Sequence, residues 1–239
     1  MRPNPRRPKN KLLALLSAKA DPWTEIGLTL PILLGYHIGV IFLPTINAAD
    51  FVTTRLVALV SWSKPAYLGL TLAIAAAFVA AFVFLGKRTK LDWRRFAVVA
   101  AEGAVYAVVM CTIARFVVGS LRLAGAPSQH GFFSGLIMSL GAGFYEELAF
   151  RVVLFGLGLL LLQRFIKIRP TVLLLSWALV SVLIFSGWHY VGTYGDPFQL
   201  ASFTFRTVCG LAFVAIYRLR GFAPAVWCHA LYDIWVLAL

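Results

Sequence analysis

Three short stretches in the C-terminal half of this chain put ionisable side chains inside otherwise apolar runs. The first is Phe144-Tyr145-Glu146-Glu147-Leu148-Ala149-Phe150-Arg151. The second is Phe185-Ser186-Gly187-Trp188-His189, and the third is His229-Ala230-Leu231-Tyr232-Asp233. Adjacent carboxylates on a helix point about 100° apart, so Glu146 and Glu147 cannot share one environment. Glu147 and Arg151 stand at i,i+4 with the acid first, the favourable order for mutual neutralisation. Glu146 is then the carboxylate left over, turned to another face, where it suits a general base. Phe185 and His189 share a helix face. So do His229 and Asp233, and there a carboxylate can orient the imidazole and set its tautomer. Taken singly, each motif has a plainer reading: an ion pair at a helix end, an interfacial histidine beside Trp188, a polar contact between helices. Together they supply a base, two imidazoles and hydrogen-bonding partners, the inventory for activating water and stabilising an oxyanion.

The elements that must position these groups are membrane helices. Of 239 residues, 61% are hydrophobic and 13% charged, whereas a soluble domain is about half apolar and a quarter charged. Apolar runs long enough to cross a bilayer lie at about 26–44, 66–86, 97–118, 132–163, 171–189, 198–217 and 222–239. The fold class is therefore all-α, a polytopic transmembrane helix bundle of seven to eight spans, with its catalytic core in the C-terminal half. The eighth element would arise if the long fourth run breaks around Gly141-Ala142-Gly143. The mixed stretch 45–65 is a candidate interfacial helix. Asp21-Pro22 reads as an N-cap followed by proline at the first helical position.

Charge sets the expected topology. The net charge is +13, and 16 of the 22 Lys/Arg fall in the N-terminus, 87–95, 164–169 and 218–220. The alternate loops hold only Arg55, Lys64 and Arg122, while Arg115, Arg151 and Arg206 lie inside spans. This alternation follows the positive-inside rule and predicts a cytoplasmic N-terminus. Residues 1–20 read as a retained basic cytoplasmic segment rather than a signal peptide cleaved near Ala18-Lys19-Ala20. Residues 21–239 read as one transmembrane domain, with the motifs in about 130–239. No basic soluble face is visible, which argues against nucleic acid as a partner. Cys111, Cys209 and Cys228 lie far apart in apolar runs with no C-x-x-C, so they read as small core residues.

The three motifs, in order on separate spans, resemble those of the CPBP family of CAAX proteases and bacteriocin-processing enzymes, which includes the Ras-converting prenyl-protein proteases. The family pattern is E-E-x-x-x-R, F-x-x-x-H and H-x-x-x-N or D. It corresponds here to Glu146-Glu147-x-x-x-Arg151, Phe185-x-x-x-His189 and His229-x-x-x-Asp233. The resemblance covers about 140–239. It implies an all-helical intramembrane glutamic endopeptidase without a metal or other cofactor. Glu146 and His189 would activate the water, His229 and Asp233 would form the oxyanion site, and Glu147 and Arg151 would hold the site together. An ionised aspartate cannot donate to an oxyanion, so Asp233 either carries a proton or orients His229; the second role is the expectation. The implied partners are a peptide or protein substrate at or in the membrane, with a lipidated or C-terminal tail among the options, and the lipid bilayer. The expected location is a bacterial cytoplasmic membrane.

Other chemistries fit less well. A metal hydrolase finds no H-E-x-x-H, and ligand pairs at i,i+4 reduce to His229/Asp233. Ser134-Gly135 and Ser186-Gly187 lack the glycine two places before the serine, and Tyr232-Asp233 and Gly195-Asp196 come in the wrong order for an aspartyl protease. A proton-coupled transporter would favour an inverted repeat, and none is visible. A non-catalytic scaffold or immunity factor is separated from an enzyme by Glu146→Gln. One geometric demand follows from the enzyme reading. His189 ends its span, yet His229 is about 10 Å into the last one, and both must meet Glu146 at one level.

Overall fold

The computed structural model describes residues 20–43, 63–85, 93–120, 131–192 and 195–238. Among the described residues the chain forms seven helical rods and no strand. We number them α1 (Pro22–Phe42), α2 (Lys64–Leu85), α3 (Trp93–Ser120), α4 (Phe132–Phe165), α5 (Pro170–Trp188), α6 (Leu200–Leu219) and α7 (Phe222–Asp233). The basic segment 1–19 and the candidate interfacial stretch fall largely outside the described residues. Against the seven to eight expected spans, five helices among the described residues are long and apolar enough to cross a membrane: α1, α3, α4, α5 and α6. The last run is a shorter apolar helix, Phe222–Leu237.

The break that would have given an eighth element does not occur in the fourth run. Phe132–Gly141 passes without interruption into a π-helical segment, Ala142–Leu157, and then into Gly158–Phe165. At the first junction the Ala142 N–H is shared between the Met138 and Ser139 carbonyls. Glycine serves here for close approach rather than for a hinge. A Cβ on Gly143 would lie 2.7 Å from the Ala230 Cβ and 2.9 Å from its backbone nitrogen. α4 and α7 therefore cross nearly backbone to backbone, as small residues allow in membrane bundles. Gly103 of α3 meets the Trp227–Cys228 backbone in the same way, so glycines bring two helices close against α7.

The start of α7 is fixed by α1. Asp21 caps α1 as expected: its Oδ1 accepts from the Trp23 and Thr24 N–H groups, each at 3.1 Å. Glu25, in the first turn of α1, reaches across the fold, and its Oε2 accepts the Ala223 N–H at 2.6 Å. A carboxylate is favourable at a helix N-terminus, where N–H groups lack intrahelical partners. Gly221, before α7, has φ +119°, and a Cβ there would lie 2.5 Å from Glu25 Oε1. Trp227 Nε1 donates to the Leu28 carbonyl at 2.8 Å, a second tie between α7 and α1. From α3, Glu102 pairs with Arg220 in the turn before α7 and accepts a hydrogen bond from Tyr106. α5 is tied to α4 by Trp177 Nε1, which donates to the Leu154 carbonyl at 3.0 Å, and to α6 by Ser186 Oγ, which donates to the Phe203 carbonyl at 2.7 Å. Cys111, Cys209 and Cys228 are buried together with Met110, Phe213 and Tyr232, as small core residues should be.

Candidate active site

The six side chains singled out by spacing meet between α4, α5 and α7. Glu146, Glu147 and Arg151 stand on the π segment of α4, and all three are buried. π-helical turns are rare and often mark functional sites. Arg151 Nε lies 3.2 Å from Glu147 Oε2, so the i,i+4 pair read from the sequence is present. The Arg151 guanidinium is held over the Phe185 ring at 4.1 Å and the Phe213 ring at 5.0 Å, where the ring quadrupoles favour a cation.

His229 projects from α7 onto the same residues. Its Nδ1 is 2.7 Å from Glu147 Oε1, and its ring stacks on Phe213 with centroids 4.4 Å apart. An ionised carboxylate only accepts, so Nδ1 carries the proton in that bond. Nε2 then points away from Glu147, 3.9 Å from Glu146 Oε2 and 3.5 Å from Asp233 Oδ2. Three carboxylates thus surround the imidazole, Glu147 at Nδ1 and Glu146 and Asp233 at Nε2, and the shortest contact is with Glu147 rather than Asp233.

His189 caps the C-terminal end of α5. Its Nδ1 lies 2.9 Å from the Phe185 carbonyl oxygen, which can only accept, so the Nδ1 position is the donor. That leaves Nε2 facing Glu146 Oε2 at 3.7 Å. Phe185 also meets the His189 ring edge-on at 5.1 Å and the His229 ring at 6.3 Å. The phenylalanine of the middle motif therefore sets the shape of the site, touching Arg151 and both imidazoles. The contacts of 3.7 and 3.9 Å from Glu146 to the two Nε2 atoms exceed a hydrogen bond.

The depth demand is met by the close crossing at Gly143 and Ala230, which brings α7 against the π segment three residues before Glu146. Several residues that shape the site carry no motif. Phe213, under His229 and Arg151, is one apolar residue in an apolar run and gives no sequence signal. His37 and Glu102 are ionisable residues inside apolar runs, the same anomaly that marked the three motifs, and Glu25 stands at the edge of one. Among the described residues no group of three or more His, Cys, Asp or Glu forms a candidate metal-ligand set.

The described residues thus form an all-helical chain with carboxylates and imidazoles gathered between its C-terminal helices. The comparison with protein families is more specific. Residues 128–235 match the Rce1-like family, type II CAAX prenyl endopeptidase Rce1-like, and this match supports the resemblance to the CPBP/CAAX proteases over the motif-bearing region. No curated protein and no solved structure matches the chain. The matched region begins just before α4 and ends within the π turn after Asp233, so it contains all six site residues.

Proposed function

We propose that this chain is an intramembrane glutamic endopeptidase that hydrolyses a peptide bond in the tail of a membrane-associated substrate. The observation that carries the proposal is the placement of Glu146 Oε2 within 4 Å of both His189 Nε2 and His229 Nε2. A water held by Glu146 and His189 attacks the scissile carbonyl carbon. Glu146 takes the water proton as the C–O bond forms, and the proton passes to the amine nitrogen as the C–N bond breaks. His229 donates from Nε2 to the oxyanion of the tetrahedral intermediate. Its Nδ1 already donates to Glu147, so donation from Nε2 requires the imidazolium, and the Asp233 carboxylate beside Nε2 favours that charge. Glu147 and Arg151 hold the imidazole and the π segment in place.

The exposures support an entry side. The His189 side chain is 22% exposed and that of Asp233 15%, against 5% for His229 and 0% for Glu147. Substrate and water approach over His189 and Asp233, with the buried ion pair as the floor. The distribution of basic residues supports a cytoplasmic N-terminus. The test uses purified protein against a panel of lipidated and unlipidated tail peptides, with Glu146→Gln and His229→Ala as controls. Cleavage by the wild type that both substitutions abolish supports the proposal. Cleavage that survives Glu146→Gln defeats it.

A further inference from the structure

His37 of α1 lies outside the matched region, and the reaction above does not use it. Both of its ring nitrogens are engaged. Nδ1 is 3.0 Å from the Tyr67 hydroxyl on α2, and Nε2 is 2.9 Å from the Tyr145 hydroxyl on α4. Tyr145 immediately precedes Glu146. Its ring also meets Tyr36 and His37 edge-on, with centroids 5.6 and 6.1 Å apart. An imidazole inside an apolar span is costly and marks a function by default. A neutral imidazole has one donor and one acceptor nitrogen. One tyrosine therefore donates to His37 and the other accepts from it, and the two bonds join α2, α1 and the catalytic helix.

We infer that His37 is a positioning residue: through Tyr145 it sets the rotation of α4 about its axis, and so the placement of the Glu146 carboxylate. This rests on Glu146 being the base. A side chain ends about 5–6 Å from its helix axis, so a rotation of about 10° moves it by about 1 Å. A misplacement of about 1 Å costs about 100-fold in rate. Loss of the His37 link lowers kcat by about 10- to 100-fold and leaves KM unchanged, because His37 touches no substrate.

The test compares His37→Leu, Tyr145→Phe and their combination on a quenched fluorescent peptide with a farnesylated C-terminal tail. The expected result is a fall in kcat at constant KM, with the double variant no worse than either single one and partial rescue by His37→Gln. Wild-type kcat in both single variants overturns the inference. So does a loss that merely follows a lowered melting temperature, with kcat per folded molecule unchanged. A second measurement is independent of turnover: 15N spectra of histidine-labelled protein. Tyr145→Phe should move the ring resonances of His189, which faces Glu146, as well as those of His37. Unmoved His189 resonances overturn the inference even if no peptide is cleaved. A Glu146→Gln protein with wild-type turnover instead defeats the catalytic reading, and these spectra then decide on His37 alone.

Discussion

Gly143→Ala perturbs the geometry of the site without touching any group that does chemistry. The new Cβ would sit 2.7 Å from the Ala230 Cβ, 2.9 Å from its nitrogen and 3.0 Å from its Cα. Carbon atoms rest at about 3.5–4.0 Å, so α4 and α7 must separate by roughly 1 Å. Two of the three obstructing atoms are backbone, so no rotamer change relieves the clash. The separation opens the 2.7 Å contact between His229 Nδ1 and Glu147 beyond hydrogen-bond range and draws His229 Nε2 away from Glu146. An error of about 1 Å costs about 100-fold, or roughly 2.7 kcal/mol in the barrier. Stability should change less. Overpacking costs about 1–3 kcal/mol, and alanine returns about 1 kcal/mol of helix propensity. The assay is single-turnover cleavage beside a thermal melt of the same preparation. Gly69→Ala serves as the control, since a Cβ there meets nothing within 4 Å. A Gly143→Ala protein that cleaves at the wild-type rate would refute the reasoning, because the crossing would then not set the catalytic distances.

Three further outcomes follow from the buried contacts. Glu147→Gln leaves the Arg151 charge buried without its partner, which should destabilise the protein by about 3–5 kcal/mol; a thermal or denaturant melt reads the loss, and adding Arg151→Met should recover part of it. Gly221→Ala meets both a positive φ and the Glu25 carboxylate, so it should lower the melting temperature more than Gly69→Ala does. Glu25→Gln keeps an acceptor for the Ala223 N–H but removes its charge; the expected cost is about 1 kcal/mol, falling mainly on kcat through the register of α7.

The candidate site residues were legible because each motif is local. Glu147 with Arg151, Phe185 with His189, and His229 with Asp233 are i,i+4 pairs, and helical spacing alone puts each pair on one face. Their convergence was not local. It depends on Gly143 facing Ala230, and in the sequence a glycine pair inside a long apolar run looks the same whether it breaks a helix or admits a neighbour. Hence the fourth run suggested a broken element, where the structure has one continuous rod. The ties that Glu25, His37 and Glu102 make to Ala223, Tyr145 and Arg220 escaped spacing arguments because those partners lie 198, 108 and 118 residues away. The presence of His37 and Glu102 in apolar runs was still a signal. Phe213 had none, since nothing distinguishes a phenylalanine under an imidazole from one facing lipid. The last apolar run forms the helix α7, which hydrogen bonds and glycine contacts hold among α1, α3 and α4.

The account depends on Glu146 as the base that activates water, and single-turnover cleavage of a tail peptide by wild-type and Glu146→Gln protein tests this most directly. Positioned general bases contribute about 10²- to 10⁴-fold. The account predicts a rate loss of at least about 100-fold at an unchanged melting temperature. A Glu146→Gln protein that cleaves the same bond at the wild-type rate would contradict it.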